Sequence, residues 1–234
     1  MLAQLDQAPP KGYALTGTAS LAPALAAAGS HQPPDWETMR IANDGKPVVK
    51  AWRDGTAVLT LASGKTFHAA AANLPAPQEL SGGWNLSFPP DWGAPPSVTL
   101  EKLISWPEHT NAGVKYFSGT ASYEKEIEIP AARWRAGREL WLDLGAVKNF
   151  AEVFLNGQNL DILWKPPFRA NLTAAAKPGM NKLVVKVTNL WPNRLIGDEQ
   201  LPPDSEWNGD ELKAWPAWLL AGQPSPTSRL TFTT

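Results

Sequence analysis

Between Asn189 and Glu199 the chain gathers a flat aromatic (Trp191), an amide (Asn193), a guanidinium (Arg194) and two carboxylates (Asp198, Glu199). Sugars are held by such mixtures: a pyranose lays its apolar face on an aromatic ring while planar polar groups take its hydroxyls. The same residues also suit a loop pinned by an arginine–carboxylate pair. Trp191-Pro192, with an arginine and two acids downstream, reads first as that pinned loop, Trp191 being a core plug and Arg194 its tie. Trp164, ahead of Lys165-Pro166-Pro167-Phe168, faces the same choice between plug and platform. Trp92, in Pro89-Pro90-Asp91-Trp92-Gly93, and Trp207 are expected at the surface. The candidate carbohydrate-binding set is therefore Trp92, Trp164, Trp191, Asn193, Arg194, Asp198 and Glu199.

Catalysis is harder to place. Glycoside hydrolysis uses two carboxyl groups about 5 to 9.5 Å apart across one bond. Glu108, Asp198, Glu199, Asp204, Glu206, Asp210 and Glu211 supply acids, but no spacing sets two of them face to face, so no catalytic residue is assigned. His31, His68 and His109 stand in no metal-ligand spacing, and His109 beside Glu108 suits a loop hydrogen bond. No metal or cofactor is assigned. Structural calcium needs only loop carboxylates and carbonyls, though no spacing supports it. With 0 cysteines, thiolate chemistry, thiolate zinc and disulfides are excluded. Lys plus Arg number 21 against 22 Asp plus Glu, so no basic excess exists to neutralise phosphates and no nucleic-acid partner is expected. Nor is a membrane partner, because no apolar run nears the ~20 residues a spanning helix needs.

Composition describes the scaffold that must position these groups. At 234 residues and 43% apolar the chain is long enough for a real core, whereas 18% charge and 23 prolines with 18 glycines describe many loops and little charged helix. The 12 tryptophans either fill a sandwich core or build stacking platforms. Residues 1–35 are expected as a flexible, surface-draped segment rather than a signal peptide: Lys11 stands nearly alone as a positive charge, and the apolar stretch is Ala, Thr and Gly rather than Leu. Residues 36–80 should hold a small β meander and a linker. Strands around Val48–Trp52, Thr56–Leu61 and Thr66–His68 are joined by Asp54-Gly55 and Ser63-Gly64, with Asn73–Pro77 as the linker.

From about 81 to 234 the pattern is strand after strand. Trp84, Leu86 and Phe88 share one face, as do Ala121, Tyr123, Ile127 and Ile129, then Leu140, Leu142 and Leu144, then Leu183, Val185 and Val187. Trp141 falls on the face opposite Leu140 and Leu142, either exposed or covered by another layer. Phe150–Leu155, Asn156-Gly157 and Gln158–Trp164 form a hairpin signal, because Asn-Gly favours the primed turn. Helical turns are expected only at 131–134 and 212–220. Many short strands without intervening helices predict an all-β, antiparallel jelly-roll sandwich.

Certain motifs go further. Phe150–Gly157, Pro167-Phe168, Asn171-Leu172-Thr173 and Pro178–Leu183 resemble the galactose-binding-like, sugar-binding jelly roll of β-galactosidase-type glycoside hydrolases. Trp106–His109, Val114–Ala121, Leu163–Phe168 and Thr188–Glu199 are similar to the C-terminal part of family 106 glycoside hydrolases, the α-L-rhamnosidase type. The resemblance covers about residues 75–234. It implies an ancillary carbohydrate-associated domain, with a rhamnose-containing glycan and an upstream catalytic domain as partners and an extracytoplasmic location. A catalytic barrel needs about 200 residues or more of alternating strand and helix. Residues 1–80 cannot supply one, so the chain is expected to be a fragment or a reduced gene product, without its last strand and without turnover. The alternatives are a structural module that steadies a catalytic partner and a small free-standing glycosidase.

Overall fold

The computed structural model describes residues 36–135 and 137–231; the segment expected to drape the surface, 1–35, lies outside them. Four strands open the described chain: β1 (Trp36–Ile41), β2 (Pro47–Ala51), β3 (Gly55–Thr60) and β4 (Thr66–Ala71). They form two separate antiparallel hairpins, β1–β2 and β3–β4, rather than the single three-strand meander expected. The carboxylate of Asp54 explains the break. It accepts from the backbone N–H groups of Asn73 and Leu74 at 2.9 and 2.8 Å, so the residue expected to turn β2 into β3 ties down the linker instead.

The main body follows as β5 (Trp84–Ser87), β6 (Ser97–Leu100), the one-turn α1 (Ala112–Lys115), β7 (Thr120–Ile129), β8 (Trp141–Asp143), β9 (Phe150–Leu155), β10 (Gln158–Leu163), β11 (Arg169–Asn171) and β12 (Gly179–Thr188). A six-stranded antiparallel sheet in the order β10-β9-β12-β7-β5-β6 makes one layer of an all-β sandwich, and the short pair β11–β8 lies in the other. Alternation explains which face is buried. Leu86, Ala121, Ala151, Val153, Leu155 and Leu183 all point inward at 0% exposure, while Glu126, Glu128, Met180 and Lys182 on the same strands face water. Phe88, Trp106 and Phe117 close one end of the core, with ring centroids 4.9 to 6.2 Å apart in edge-on contacts. Burial pushes the Tyr123 phenol up to about 12, although its oxygen accepts the indole N–H of Trp106 at 2.6 Å.

Trp141 takes the covered alternative. Lys50 of β2 lies 3.7 Å from the Trp141 ring centroid and 2.9 Å from Glu139, and Trp52 meets Trp141 edge-on at 5.7 Å. The Lys50 ammonium holds the Glu139 carboxyl below its ordinary range. Arg169 of β11 adds a 2.8 Å bond to Asp143 and an approach of 3.8 Å to Glu37 on β1. The first hairpin thus packs on the outer side of β8–β11, its cation and indole replacing the water that would otherwise meet that face.

Beyond β12 come α2 (Pro192–Asp198), the hairpin β13 (Glu206–Asn208) and β14 (Glu211–Ala214), and the short α3 (Ala217–Leu220). The helical turn expected over 212–220 is confined to its second half. Gly209, at φ 65°, and Asp210 turn the chain back on itself, so Glu211–Ala214 pairs with β13 as a strand, with an exposed 2.7 Å Lys213–Glu206 contact across the hairpin. At 131–134 the expected turn is a 3₁₀ turn over Ala131–Arg133.

At the far end of the sheet Asn156-Gly157 turns β9 into β10 with φ 52° and 84°, the primed geometry the dipeptide suggests. Its side chain donates at 2.8 Å to Asn181, which is 1% exposed; Asn181 also accepts from Lys177 N–H and donates to the carbonyls of Lys177 and Gly179. Replacing Asn181 with leucine leaves these partners unsatisfied. We expect a loss on the order of 3 kcal/mol in urea unfolding, against less than about 0.5 kcal/mol for Met180→Ala one residue away on the wet face.

Candidate functional site

The segment expected as a loop after β12 is a helix, α2. Pro192 stands at its first position, where the missing N–H costs nothing and the fixed φ suits the helix. Arg194 and Asp198 then fall one helical turn apart, so that their side chains share a face. A residue not singled out from the sequence starts the helix: Ser118, 4% exposed, accepts the Arg194 backbone N–H at 2.9 Å and donates to the carbonyl of Leu190. Asn189 ties the same corner, accepting from Gly119 N–H and donating to Phe117 C=O. Gly197 lets α2 lie against Tyr116, whose Cβ would stand 2.5 Å from any added side-chain carbon.

Arg194 is the tie that the sequence suggests. Its guanidinium is 8% exposed, donates to Asp198 Oδ1 at 3.2 Å and reaches the Trp92 carbonyl at 3.3 Å. Asp198, 1% exposed, uses its other oxygen to accept from the backbone N–H groups of Leu230 and Thr231 and from the Thr231 hydroxyl, at 2.8 to 3.0 Å. Helix, Trp92 loop and C-terminal segment therefore meet on one buried ion pair. Glu199 faces outward and accepts from the buried Arg229 at 3.4 Å, and Arg229 also binds the carbonyls of Pro202 and Leu201.

Trp191 is not a core plug. It is 53% exposed and stands at the helix start, where its backbone bonds to Ser118 leave the ring outside. Its ring centroid lies 5.8 Å from that of Trp92, itself 39% exposed, with the ring planes inclined at 52°. The two indoles form an open, angled aromatic surface over the ion pair. Asn193 is half-buried beside them, on the rim of the large cleft between the sheet layers. Trp164 is 64% exposed with the Lys165 ammonium 5.1 Å from its ring. It follows β10 at the same end of the six-stranded sheet, two strands or about 10 Å from Thr188, and stands apart from the pair. Trp207, 38% exposed, is at the surface as expected.

Most of the remaining acids have local duties. Asp204 accepts from Ser225 and Ser205, Glu206 pairs with Lys213, Asp210 sits on the exposed β13–β14 turn and Glu211 is exposed at the start of β14. His109 accepts the Asn111 N–H at 3.0 Å, the loop role expected of it. Among the described residues no group of three or more His, Asp or Glu is placed to hold a metal ion, and no helix is long and apolar enough to cross a membrane.

Removing one partner of a buried ion pair strands the other's charge. Asp198→Ala should therefore cost about 3 to 5 kcal/mol in chemical denaturation. The double change Arg194→Met with Asp198→Leu should cost clearly less than Asp198→Ala alone. Equal losses would show the pair to be uncoupled.

No known family model matches the chain. A protein of Formosa agariphila named "Putative beta-glucuronidase" is 44% identical over 192 residues, covering 82% of this chain and 16% of that protein. A solved rhamnosidase from Novosphingobium sp. PP1Y superposes with a TM-score of 0.51 at 31% identity, covering 76% of this chain and 18% of that one. The chain spans less than a fifth of the length of each. It is related to one segment of larger, glycoside-hydrolase-type proteins.

Proposed function

We propose that the chain is an ancillary carbohydrate-associated module of an α-L-rhamnosidase-type (family 106) glycoside hydrolase, a galactose-binding-like jelly roll that contacts glycan without cleaving it. The observation that carries this reading is the Trp92–Trp191 pair, two partly exposed indoles 5.8 Å apart on a chain similar to a segment of a rhamnosidase. A ring on an already ordered backbone loses less freedom on binding than one on a loose loop, and here Arg194 bonds the Trp92 carbonyl and Ser118 the Trp191 carbonyl. The rings offer stacking faces, and Asn193 offers an amide beside them. Asp198 and Glu199 act as supports for this surface, since both accept bonds from the protein itself. The chemistry belongs to a catalytic domain elsewhere in the same or another chain, a barrel being larger than anything the described sheets accommodate.

The same surface carries Leu190 and Ile196, 52% and 58% exposed, which would equally serve a structural module resting on a catalytic partner. Calorimetric titration with a rhamnose-containing oligosaccharide separates the two. The glycan reading expects saturable binding that Trp191→Ala weakens several-fold, about 1 kcal/mol, with the melting curve unchanged. Absence of binding to the wild-type chain would favour the structural module. Release of product from an aryl α-L-rhamnoside would overturn the non-catalytic assignment.

A further inference from the structure

The two layers of the sandwich are unequal. Six strands make one sheet, whereas among the described residues β8 pairs only with β11 in the other. Leu144 N–H donates to Phe168 C=O and Leu140 N–H to Thr173, so the amides on that side of β8 point toward β11 and the chain flanking it. By the two-residue repeat of a strand, the Trp141 and Asp143 N–H groups point the opposite way. No strand pairs with that edge among the described residues. It opens on a cleft of about 1890 Å³, bordered by Leu140–Leu144 on one side and reaching the half-buried Tyr123 and Val187 on the inner face of β7 and β12, with Ile127 and Val185 buried beneath them.

We infer that this cleft is a docking site for one extended strand of a partner polypeptide, added to the free edge of β8 with alternate apolar side chains turned onto β7 and β12. A strand fits where other ligands do not. The volume is about twice the upper end of ordinary small-molecule pockets, which run to about 1,000 Å³. An open backbone edge is a feature that only another backbone fully satisfies. The apolar floor beneath that edge asks for a period-two partner, since only alternate residues of an added strand would reach it. Polypeptide to supply the strand exists in the longer proteins this chain matches, more than four-fifths of whose length lies outside the matched segment. The inference does not need the glycan reading: neither the Trp92 nor the Trp191 ring lines the cleft, although Asn193 stands on its rim.

Hydrogen exchange on the full chain tests it, using a short acetylated and amidated peptide in which valine and threonine alternate between terminal lysines. Saturable binding should slow exchange of the Trp141 and Asp143 amides at least about tenfold, and leave Leu142, which already faces β11, unchanged. A peptide with proline at the central valine should do nothing. Leu144→Glu and, separately, Val147→Glu place a charge on the cleft wall; either variant that melts like the wild type should abolish the effect. Unchanged exchange at saturation, or equal protection by the proline peptide, would overturn the proposal. So would protection without peptide together with a doubled solution mass, which would assign the edge to a second copy.

Discussion

A guanidinium and a carboxylate taken out of water together each pay several kcal/mol of desolvation, which further hydrogen bonds must offset. Around the Arg194–Asp198 pair such bonds satisfy the carboxylate and most of the guanidinium, the Arg194 Nε alone being buried without a hydrogen-bond partner. The Trp92 carbonyl, the backbone of Leu230 and Thr231 and the Thr231 hydroxyl all converge on it, and Ser118 takes the Arg194 backbone N–H. One polar contact therefore sets the pitch of α2, the height of the Trp92 loop and the path of the C-terminal segment. The exposed indole pair is a consequence of that arrangement: its two backbones are fixed from below, leaving the rings outside.

A second polar cluster does comparable work at another boundary. Lys50, Glu139, Trp141, Asp143 and Arg169 join the first hairpin to the small layer of the sandwich through ion pairs and ring contacts. A two-strand hairpin is marginal by itself in water, so this contact is what gives β1–β2 a fixed place. The small layer it covers is short, and the edge of β8 that no described strand pairs with faces the cleft between the sheets.

Much of this was legible in the residues. Alternation placed Ala121–Ile129, Phe150–Leu155 and Leu183–Val187 in strands, because one buried face leaves a period of two. Asn156-Gly157 marked its hairpin, and Arg194 followed by Asp198 announced a tie. The exposure of Trp191 departs from the expectation because Trp-Pro suits a helix start as well as a loop anchor, and Pro192 is the first residue of a helix that leaves the indole outside. β1 and β11 were missed for a related reason: three to six residues with mixed polarity carry too little period to separate strand from loop. Ser118 was invisible as a helix cap because its partner is Arg194, 76 residues away.

The claim that a single buried pair organises this edge of the sandwich is open to one direct measurement. Leu230 and Thr231 donate their backbone N–H groups to the Asp198 carboxylate, and neither belongs to a strand or helix that would protect it otherwise. Their exchange rates can be followed by NMR in the wild-type chain and in Arg194→Met. If Arg194 holds Asp198 in place, the substitution should speed both amides toward unprotected rates while those of β9 and β12 stay slow. Slow exchange at Leu230 and Thr231 in Arg194→Met would contradict the account, because the C-terminal segment would then be held by Asp198 alone.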